Sequence, residues 1–202
     1  MQSPVKSIKI LKLQYEVERI RVKVMLQKNS PINTPKDILI ITTGGTIEKT
    51  YDEFDGSLEN RGTSIKNRIL SKLRLPYTNI DVLPLLSKDS LYMDDQDRKL
   101  ISEAISHQLS RKAPIVVLHG TDTMALSATY CYEQIKNVTV PVVFTGAMIP
   151  MGFDDTDATQ NVTEALLAAR LLAPGFYISF HNQIFKVPHV QKNKEKRTFE
   201  ET

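Results

Sequence analysis

The fold of this chain is decided by residues 38–46, which read ILIITTGGT. The apolar run predicts a buried strand of a parallel sheet, and the hydroxyls and glycines after it predict the loop that leaves the strand. Residues 115–124 have the same design, with the apolar run IVVL followed by HGTDTM. Ligands bind at the carboxyl ends of strands in open α/β sheets, so we expect both loops to border one crevice.

The other apolar segments extend this pattern along the chain. Further strands are predicted over residues 80–86, 141–144 and 176–180. Helices are predicted over residues 64–73, 94–111, 123–136 and 157–172. Asp94 and Asp97 have the spacing of a capping box, and Asp157 or Thr159 is expected to cap the last helix. Strands separated by helices imply parallel pairing, so the predicted fold class is α/β, with a mainly parallel sheet between two layers of helices.

Length and composition are typical of one soluble globular domain. The chain has 202 residues, of which 41% are hydrophobic and 24% charged. No apolar run is long enough to span a bilayer and no secretory leader is present, so we expect a cytoplasmic protein without membrane contact. Cys131 is the only cysteine, which excludes an intramolecular disulfide and argues against a structural zinc site.

The positive charge is concentrated at the start of the chain. Residues 1–36 contain eight Lys/Arg and two Asp/Glu, which leaves 18 basic and 21 acidic residues in the body. A mildly acidic body argues against a nucleic-acid partner. We therefore divide the chain into a basic extension and linker over residues 1–36 and a catalytic domain over residues 37–202. The extension is interpreted as a loosely ordered arm, with a short edge-strand pattern at residues 20–24; an alternative is an untranslated stretch before a start at Met25.

The first loop lacks the patterns of nucleotide sites, since neither the phosphate-loop motif nor the dinucleotide motif is present. Its glycines can bring backbone N–H groups close to a ligand, and Thr46 stands beside them. A threonine hydroxyl is a poor nucleophile unless a neighbour removes its proton, and Tyr51 is a candidate for that neighbour. The alternative is that Thr46 only caps the loop.

The second loop places Thr121 and Asp122 where a helix is predicted to begin. A helix cap explains either residue without any chemistry. A cap does not require the whole HGTDTM string, however. A carboxylate here can bind a substrate ammonium, and Thr121 can act on a carbonyl centre or on water if a lysine lowers its proton affinity.

Taken together, the motifs make the chain resemble a bacterial-type L-asparaginase over residues 37–196. The matching segments, in order, are residues 43–47, 89–90, 119–124, 145–148 and 190–193. The resemblance implies the Rossmann-like or flavodoxin-like fold of the family's N-terminal domain. It also implies a small-molecule substrate, no cofactor, no metal and a homo-oligomeric assembly.

The resemblance assigns roles to residues that match the family's motifs. It implies that Thr46 attacks the side-chain amide of the substrate to give an acyl-enzyme, with Tyr51 assisting. It further implies that Thr121, Asp122 and Lys192 form a second hydroxyl–carboxylate–lysine group. Lys192 has three neighbours of the same type as alternatives, namely Lys186, Lys194 and Lys196.

Substrate-binding roles follow from the same resemblance. Asp122 is expected to hold the substrate ammonium and Ser90 its α-carboxylate. Gly45 and Gly120 are expected to line the site, and the backbone of Ala147 to line the amide end.

Two features depart from the family pattern. Position 91 is Leu, where secreted members often carry a polar substrate contact. The chain ends at Thr202, whereas the usual member continues into a second domain, so the resemblance predicts a short, single-domain form.

The predicted function is hydrolysis of L-asparagine to L-aspartate and ammonia. Glutaminase or mixed activity is the first alternative. A catalytically weak amino-acid-binding or regulatory protein is the second. Amide hydrolysis on an aminoacyl-tRNA is a third, which the acidic body disfavours.

Overall fold

The central sheet of the protein has six strands. The computed structural model describes residues 36–52, 57–60 and 65–202. The sheet contains β1 (Lys36–Gly44), β4 (Thr78–Lys88), β5 (Ile115–Leu118), β6 (Pro141–Thr145), β7 (Gly175–Phe180) and β8 (Gln183–Lys186). Its strand order is β4-β1-β5-β6-β7-β8, and all neighbours are parallel except β7 and β8.

Four helices and two small hairpins complete the described residues. The helices are α1 (Ile65–Arg68), α2 (Asp95–Gln108), α3 (Met124–Gln134) and α4 (Ala158–Leu171). The antiparallel hairpins pair β2 (Lys49–Asp52) with β3 (Ser57–Asn60) and β9 (Gln191–Asn193) with β10 (Thr198–Glu200). The predictions for the arm and for residues 20–24 lie outside the described residues.

Alternation along the strands creates two cores. Leu39 and Ile41 of β1 join one apolar cluster, which includes buried residues of α2 and α3. Ile38 and Ile40 point to the other face and join a cluster with buried residues of α1 and α4. Successive strand residues point to opposite faces, so a strand buried on both sides reads as a continuous apolar run. The predicted three-layer α/β architecture is confirmed.

The strand order creates a crevice between β1 and β5. The chain passes from β1 to β4 on one side of β1 and then returns to β5 on its other side. Ligands in doubly wound sheets bind at such a reversal, outside the carboxyl ends of the strands. The two motif loops leave the sheet at this point, as the sequence predicts.

One predicted helix is shorter in the structure, and one strand of the central sheet was not predicted. The helix predicted over residues 64–73 is only one turn of α-helix, followed by a 3₁₀ turn at Leu70–Lys72. Ser71 donates its hydroxyl to the Asn67 carbonyl, which is a local bond that competes with helix continuation. The antiparallel strand β8 is absent from the prediction, and it follows a two-residue turn at His181 and Asn182, both with positive φ.

The capping box at the start of α2 is confirmed. Asp94 accepts hydrogen bonds from the N–H groups of Gln96 and Asp97 at 2.8 and 3.1 Å. In return, the Asp97 carboxylate accepts from the Asp94 N–H at 2.9 Å. Asp97 also pairs with Lys88 at 2.5 Å, which ties the helix start to the end of β4.

No helix in the described part of the chain is long and apolar enough to cross a membrane.

A fully buried histidine directly follows β5. The Nδ1 atom of His119 lies 2.8 Å from the Gly120 carbonyl, so Nδ1 carries the proton and donates it. Nε2 is buried without a hydrogen-bond partner among the described residues. Burial lowers the pKa of His119 to about 4, against the Gly120 hydrogen bond, which favours the protonated ring.

We expect Asp94→Ala to lower the free energy of unfolding by about 1 kcal/mol, since two helix N–H groups lose their acceptor. Asp94→Asn is the matched control, because asparagine caps helices about as well as aspartate. Urea unfolding measures both. Equal losses in the two variants would contradict this account of the α2 start.

We expect His119 to make stability depend on pH. The pKa of His119 in the folded protein is below its unfolded value of about 6.5. The neutral ring therefore contributes fully to the free energy of unfolding above pH 6.5, and this contribution is lost as the pH falls toward 4. Between pH 7 and pH 5 the loss should be about 2 kcal/mol. His119→Asn keeps a donor near the Nδ1 position but does not titrate, so the variant should lack this loss. Urea unfolding of the unmutated protein and of His119→Asn at both pH values measures this difference. An identical pH dependence in the two proteins would show that His119 does not cause the loss.

Candidate active site

The loops after β1 and β5 touch through their glycines. A Cβ atom at Gly45 would collide with the backbone of Gly120, and Gly45 has a positive φ of 81°. Only glycine combines this backbone conformation with so close an approach. The contact places Thr46 and Thr121 on the residues next to it, one on each loop.

The first loop is held by its own polar groups and by the end of β4. The Gly44 N–H donates to Glu48 Oε2 at 3.2 Å, and the Gly45 N–H donates to the Lys88 carbonyl at 2.9 Å. Thr46 begins a 3₁₀ turn (Thr46–Glu48) and is partly exposed. Its side chain makes no hydrogen bond to the described residues, so its hydroxyl is open to a ligand.

An ion pair joins the first loop to the loop after β4. Lys49 Nζ lies 2.6 Å from Asp89 Oδ2, with both side chains about one-fifth exposed. Asp89 Oδ1 also accepts from the Leu91 N–H at 3.0 Å. Burial opposes ionisation of Asp89, but these two contacts outweigh it and lower its pKa. The pair therefore fixes Ser90, which follows Asp89, relative to the Thr46 loop.

Ser90 lies between the loops. It is 1% exposed, and its Oγ has no hydrogen-bond partner among the described residues. A Cβ atom at Gly120 would collide with that hydroxyl, so Ser90 lies directly against the second loop. Thr123 Oγ1 donates to the Ser90 carbonyl at 2.8 Å, which ties the same two loops together on the backbone side.

Lys192 lies beside both polar residues of the second loop. Its Nζ donates to Thr121 Oγ1 at 2.7 Å and to Asp122 Oδ1 at 2.8 Å. Thr121 is 3% exposed, and the Lys192 side chain is 16% exposed. A lysine ammonium beside a hydroxyl and a carboxylate is suited to proton transfer in a site with little water. Of the neighbouring lysines, Lys196 pairs with Glu200 instead.

The remaining sequence-predicted residues are Ala147 and Tyr51. Ala147 is fully buried in the loop after β6, and a Cβ atom at the preceding Gly146 would collide with the His119 carbonyl, so this loop abuts the second one. Tyr51 is 61% exposed on β2, and its hydroxyl makes no hydrogen bond to the described residues, Thr46 included.

A cavity of about 580 Å³ opens beside Asp122 and Lys192. It lies between α2, α3 and β9, and Arg98 and Glu133 also line it. Thr46 and Ser90 are outside its lining, so the cavity extends the site on the Asp122 side. The described residues contain no cluster of His, Cys, Asp and Glu that could hold a metal ion.

Sequence reasoning missed two polar contacts near the site. The pairing of Lys49 with Asp89 joins residues 40 positions apart, and only the folded loops reveal it. Asp157 occupies the N-cap position of α4, but its side chain makes no cap hydrogen bond. Its carboxylate binds the loop after β6 instead. A capping position in the sequence does not show which backbone the side chain binds.

Known proteins share both the sequence and the architecture of this chain. The family model described as "Asparaginase, N-terminal" matches residues 37–200. The L-asparaginase of Thermococcus kodakarensis is 30% identical over 155 residues, which are 77% of this chain and 47% of that protein. L-asparaginase 1 of Escherichia coli strain K12 is 30% identical over 158 residues, or 75% of this chain and 46% of that protein.

The structure agrees with the sequence comparison. The solved structure of the thermostable L-asparaginase from Thermococcus kodakarensis superimposes with a TM-score of 0.74 at 28% identity. The superposition covers 82% of this chain and 51% of that chain. The chain thus spans about half the length of the relatives it matches. It belongs to the asparaginase family, and the match lies in the family's N-terminal domain.

Proposed function

We propose that the protein hydrolyses L-asparagine to L-aspartate and ammonia through an acyl-enzyme on Thr46. The observation that carries this proposal is the Thr121–Lys192–Asp122 group beside the Gly45–Gly120 contact. It puts a nucleophile-bearing loop and a proton-transfer group at one crevice, as an amide hydrolase requires. The similarity to L-asparaginases over three quarters of the chain supports the choice of substrate.

In the first half of the reaction, Thr46 Oγ attacks the side-chain amide carbon of asparagine. The hydroxyl proton passes to the departing nitrogen, with Tyr51 as the proposed carrier once its ring turns inward. The C–N bond then breaks, ammonia leaves, and an ester joins Thr46 to the aspartyl group. The Thr46 backbone N–H and the hydroxyl of Thr121 stabilise the oxyanion that forms on the way.

In the second half, water replaces ammonia. The oxygen of the attacking water bonds to the ester carbon, and the water proton passes to Thr46 Oγ1 by way of the Thr121 hydroxyl, which the Lys192 ammonium holds in place. The ester bond breaks, and Thr46 recovers its proton as aspartate leaves. Asp122 keeps Lys192 in position through the 2.8 Å hydrogen bond.

The α-amino and α-carboxylate groups of the substrate decide its orientation. We assign the ammonium to Asp122 and the α-carboxylate to Ser90, whose buried hydroxyl has no partner among the described residues. Ala147, with its backbone, lines the amide end. Leu91 is 64% exposed beside Ser90 and offers no polar group, which predicts weak substrate binding more than lost chemistry.

Two other functions are compatible with the same site. Glutamine differs from asparagine by one methylene, so glutaminase or mixed activity is the first alternative. A binding or regulatory protein with weak catalysis is the second. The relative rates of ammonia release from asparagine and glutamine distinguish an asparaginase from a glutaminase. Amino-acid binding without ammonia release would indicate a binding or regulatory protein. We also propose that the protein is cytoplasmic and that it forms a homo-oligomer. The exposed apolar side chains of Leu91, Tyr92 and Leu126 support the second of these proposals.

We expect Thr46→Ala and Thr121→Ala each to reduce asparagine turnover by at least about 100-fold, because each removes a reacting hydroxyl. Thr46→Ser and Thr121→Ser keep a hydroxyl and should retain measurable activity. Ammonia release from millimolar asparagine and glutamine is the assay. Unchanged turnover in either alanine variant would remove that residue from the mechanism.

We expect Lys192→Met to lower kcat by roughly 100- to 10,000-fold while the protein stays folded, because methionine keeps the length of the side chain but carries no proton. Lys196→Met is the matched control, since Lys196 pairs only with Glu200 on the surface. Steady-state kinetics gives kcat for both variants, and thermal unfolding shows whether each variant is folded. Similar kcat values in the two variants would refute the assignment of Lys192.

A further inference from the structure

A partly buried hydrogen-bond network lies behind the loop that carries Ala147. Its centre is Asp157, whose side chain is 15% exposed. The Asp157 carboxylate accepts from the Met148 N–H with both oxygens at 3.0 Å, and from the Ile149 N–H at 3.0 Å. One carboxylate therefore holds two successive N–H groups of the loop.

Asn161 holds the same loop from one turn further along α4. Its side chain is fully buried, and Nδ2 donates both to the Gly146 carbonyl at 3.0 Å and to Asp157 at 2.9 Å. Its Oδ1 accepts from the His181 N–H at 3.1 Å. Asn161 thus connects the loop after β6 with the turn between β7 and β8.

These bonds fix both peptide groups that flank Ala147. In a trans peptide the C=O and N–H bonds point in opposite directions. The Gly146 carbonyl points to Asn161, so the Ala147 N–H points away from it. The Met148 N–H points to Asp157, so the Ala147 carbonyl points away as well. Ala147 therefore presents its own donor and acceptor on the side opposite the network.

His181 closes the network from the β7–β8 turn. Its Nε2 lies 2.9 Å from Asp157 Oδ2, so the ring donates to the carboxylate. His181 has a φ of 47°, a left-handed conformation that costs energy for most residues. The two-residue turn between β7 and β8 requires this conformation, and the bond to Asp157 holds the ring that the turn presents.

The network also reaches the strand that carries Lys192. The His181 ring packs on Phe180, with ring centroids 4.4 Å apart. Phe180 in turn packs edge-on against Phe199 at 5.1 Å. Phe199 is the register partner of Lys192 in the β9–β10 hairpin. One set of contacts therefore supports both the Ala147 loop and the Lys192 hairpin.

The charge of Asp157 suits this role. Burial opposes its ionisation, but the N–H groups of Ile149 and Met148 and the His181 ring outweigh burial and lower its pKa. The carboxylate is therefore ionised at neutral pH, and hydrogen bonds to a charged acceptor are about twice as strong as neutral ones.

We propose that Asp157 is a positioning residue of the active site, which orients the backbone of Ala147 toward the amide end of the substrate and is itself held by His181 and Asn161. This inference rests on the proposed function for its kinetic consequence. Its structural part, the fixing of the Met148 and Ile149 N–H groups, does not.

The test uses three variants of the Asp157 network and one control variant, all in the full chain. Asp157→Asn replaces one oxygen by an NH₂ group that faces the donors of His181 and Asn161. His181→Asn keeps a residue that tolerates the left-handed turn but is too short to reach Asp157. His181→Gln is long enough to restore a donor near the Nε2 position. Val140→Ala is the stability control, since Val140 is buried before the amino end of β6, opposite the Ala147 loop.

Two substrates are compared, L-asparagine and aspartic acid β-hydroxamate, which differ at the leaving nitrogen. We expect Asp157→Asn to lower kcat/KM for asparagine roughly 10- to 100-fold and to change the ratio between the two substrates about tenfold, because the proposed site places the leaving nitrogen against the Ala147 backbone. His181→Asn should show the same change to a smaller degree, and His181→Gln should recover most of it. Val140→Ala should lower stability without altering the ratio.

Loss of folded protein lowers both rates by one factor, so an unchanged substrate ratio in Asp157→Asn would overturn the kinetic inference. Amide hydrogen exchange of Met148 and Ile149 gives a readout independent of catalysis. Faster exchange at these two amides in Asp157→Asn, but not in Val140→Ala, supports the positioning role. If the unmutated protein releases no ammonia, the proposed function fails, and the exchange result alone decides whether Asp157 fixes the loop.

Discussion

The contact between Gly45 and Gly120 is the constraint on which the candidate site depends. The parallel pairing of β1 with β5 brings the ends of these strands side by side, and the two loops meet where the strand order reverses. Side chains at either position would force the loops apart, because a Cβ atom would meet backbone or the Ser90 hydroxyl. The contact in turn sets where Thr46 and Thr121 stand. The geometry of the candidate site therefore depends on a close backbone contact between two glycines.

Around this contact the site is assembled from distant parts of the chain. The loop after β4 supplies Ser90 and is tied to the first loop by the Lys49–Asp89 ion pair. The β9–β10 hairpin supplies Lys192, some seventy positions after its partners Thr121 and Asp122. Each of these segments is short and close to the surface, so each needs a specific contact to hold its side chain. The Asp157 network is such a contact for the Ala147 loop.

Much of the fold could be predicted from the sequence, because strands buried on both faces read as apolar runs and α2 begins with a capping box of its own residues. Local sequence patterns failed to predict the structure where a contact with a distant part of the chain determines it. Asp157 has the sequence position of a helix cap but binds another loop, and β8 follows a His181–Asn182 turn that lacks the glycine by which hairpins are usually found. The Thr46 and Thr121 motifs located the crevice. The position of Tyr51, exposed on β2, could not be read from its spacing.

We propose that Thr46 carries the acyl group and that the Thr121–Lys192 group is needed to hydrolyse it. Mass spectrometry of the Lys192→Met protein, quenched in acid after incubation with L-asparagine, tests both parts of this proposal. We expect a mass increase of one aspartyl group, located by peptide mapping to Thr46 and absent from Thr46→Ala/Lys192→Met. An aspartyl group on Thr121, or ammonia release without any covalent adduct in this variant, would show that Thr46 is not the nucleophile.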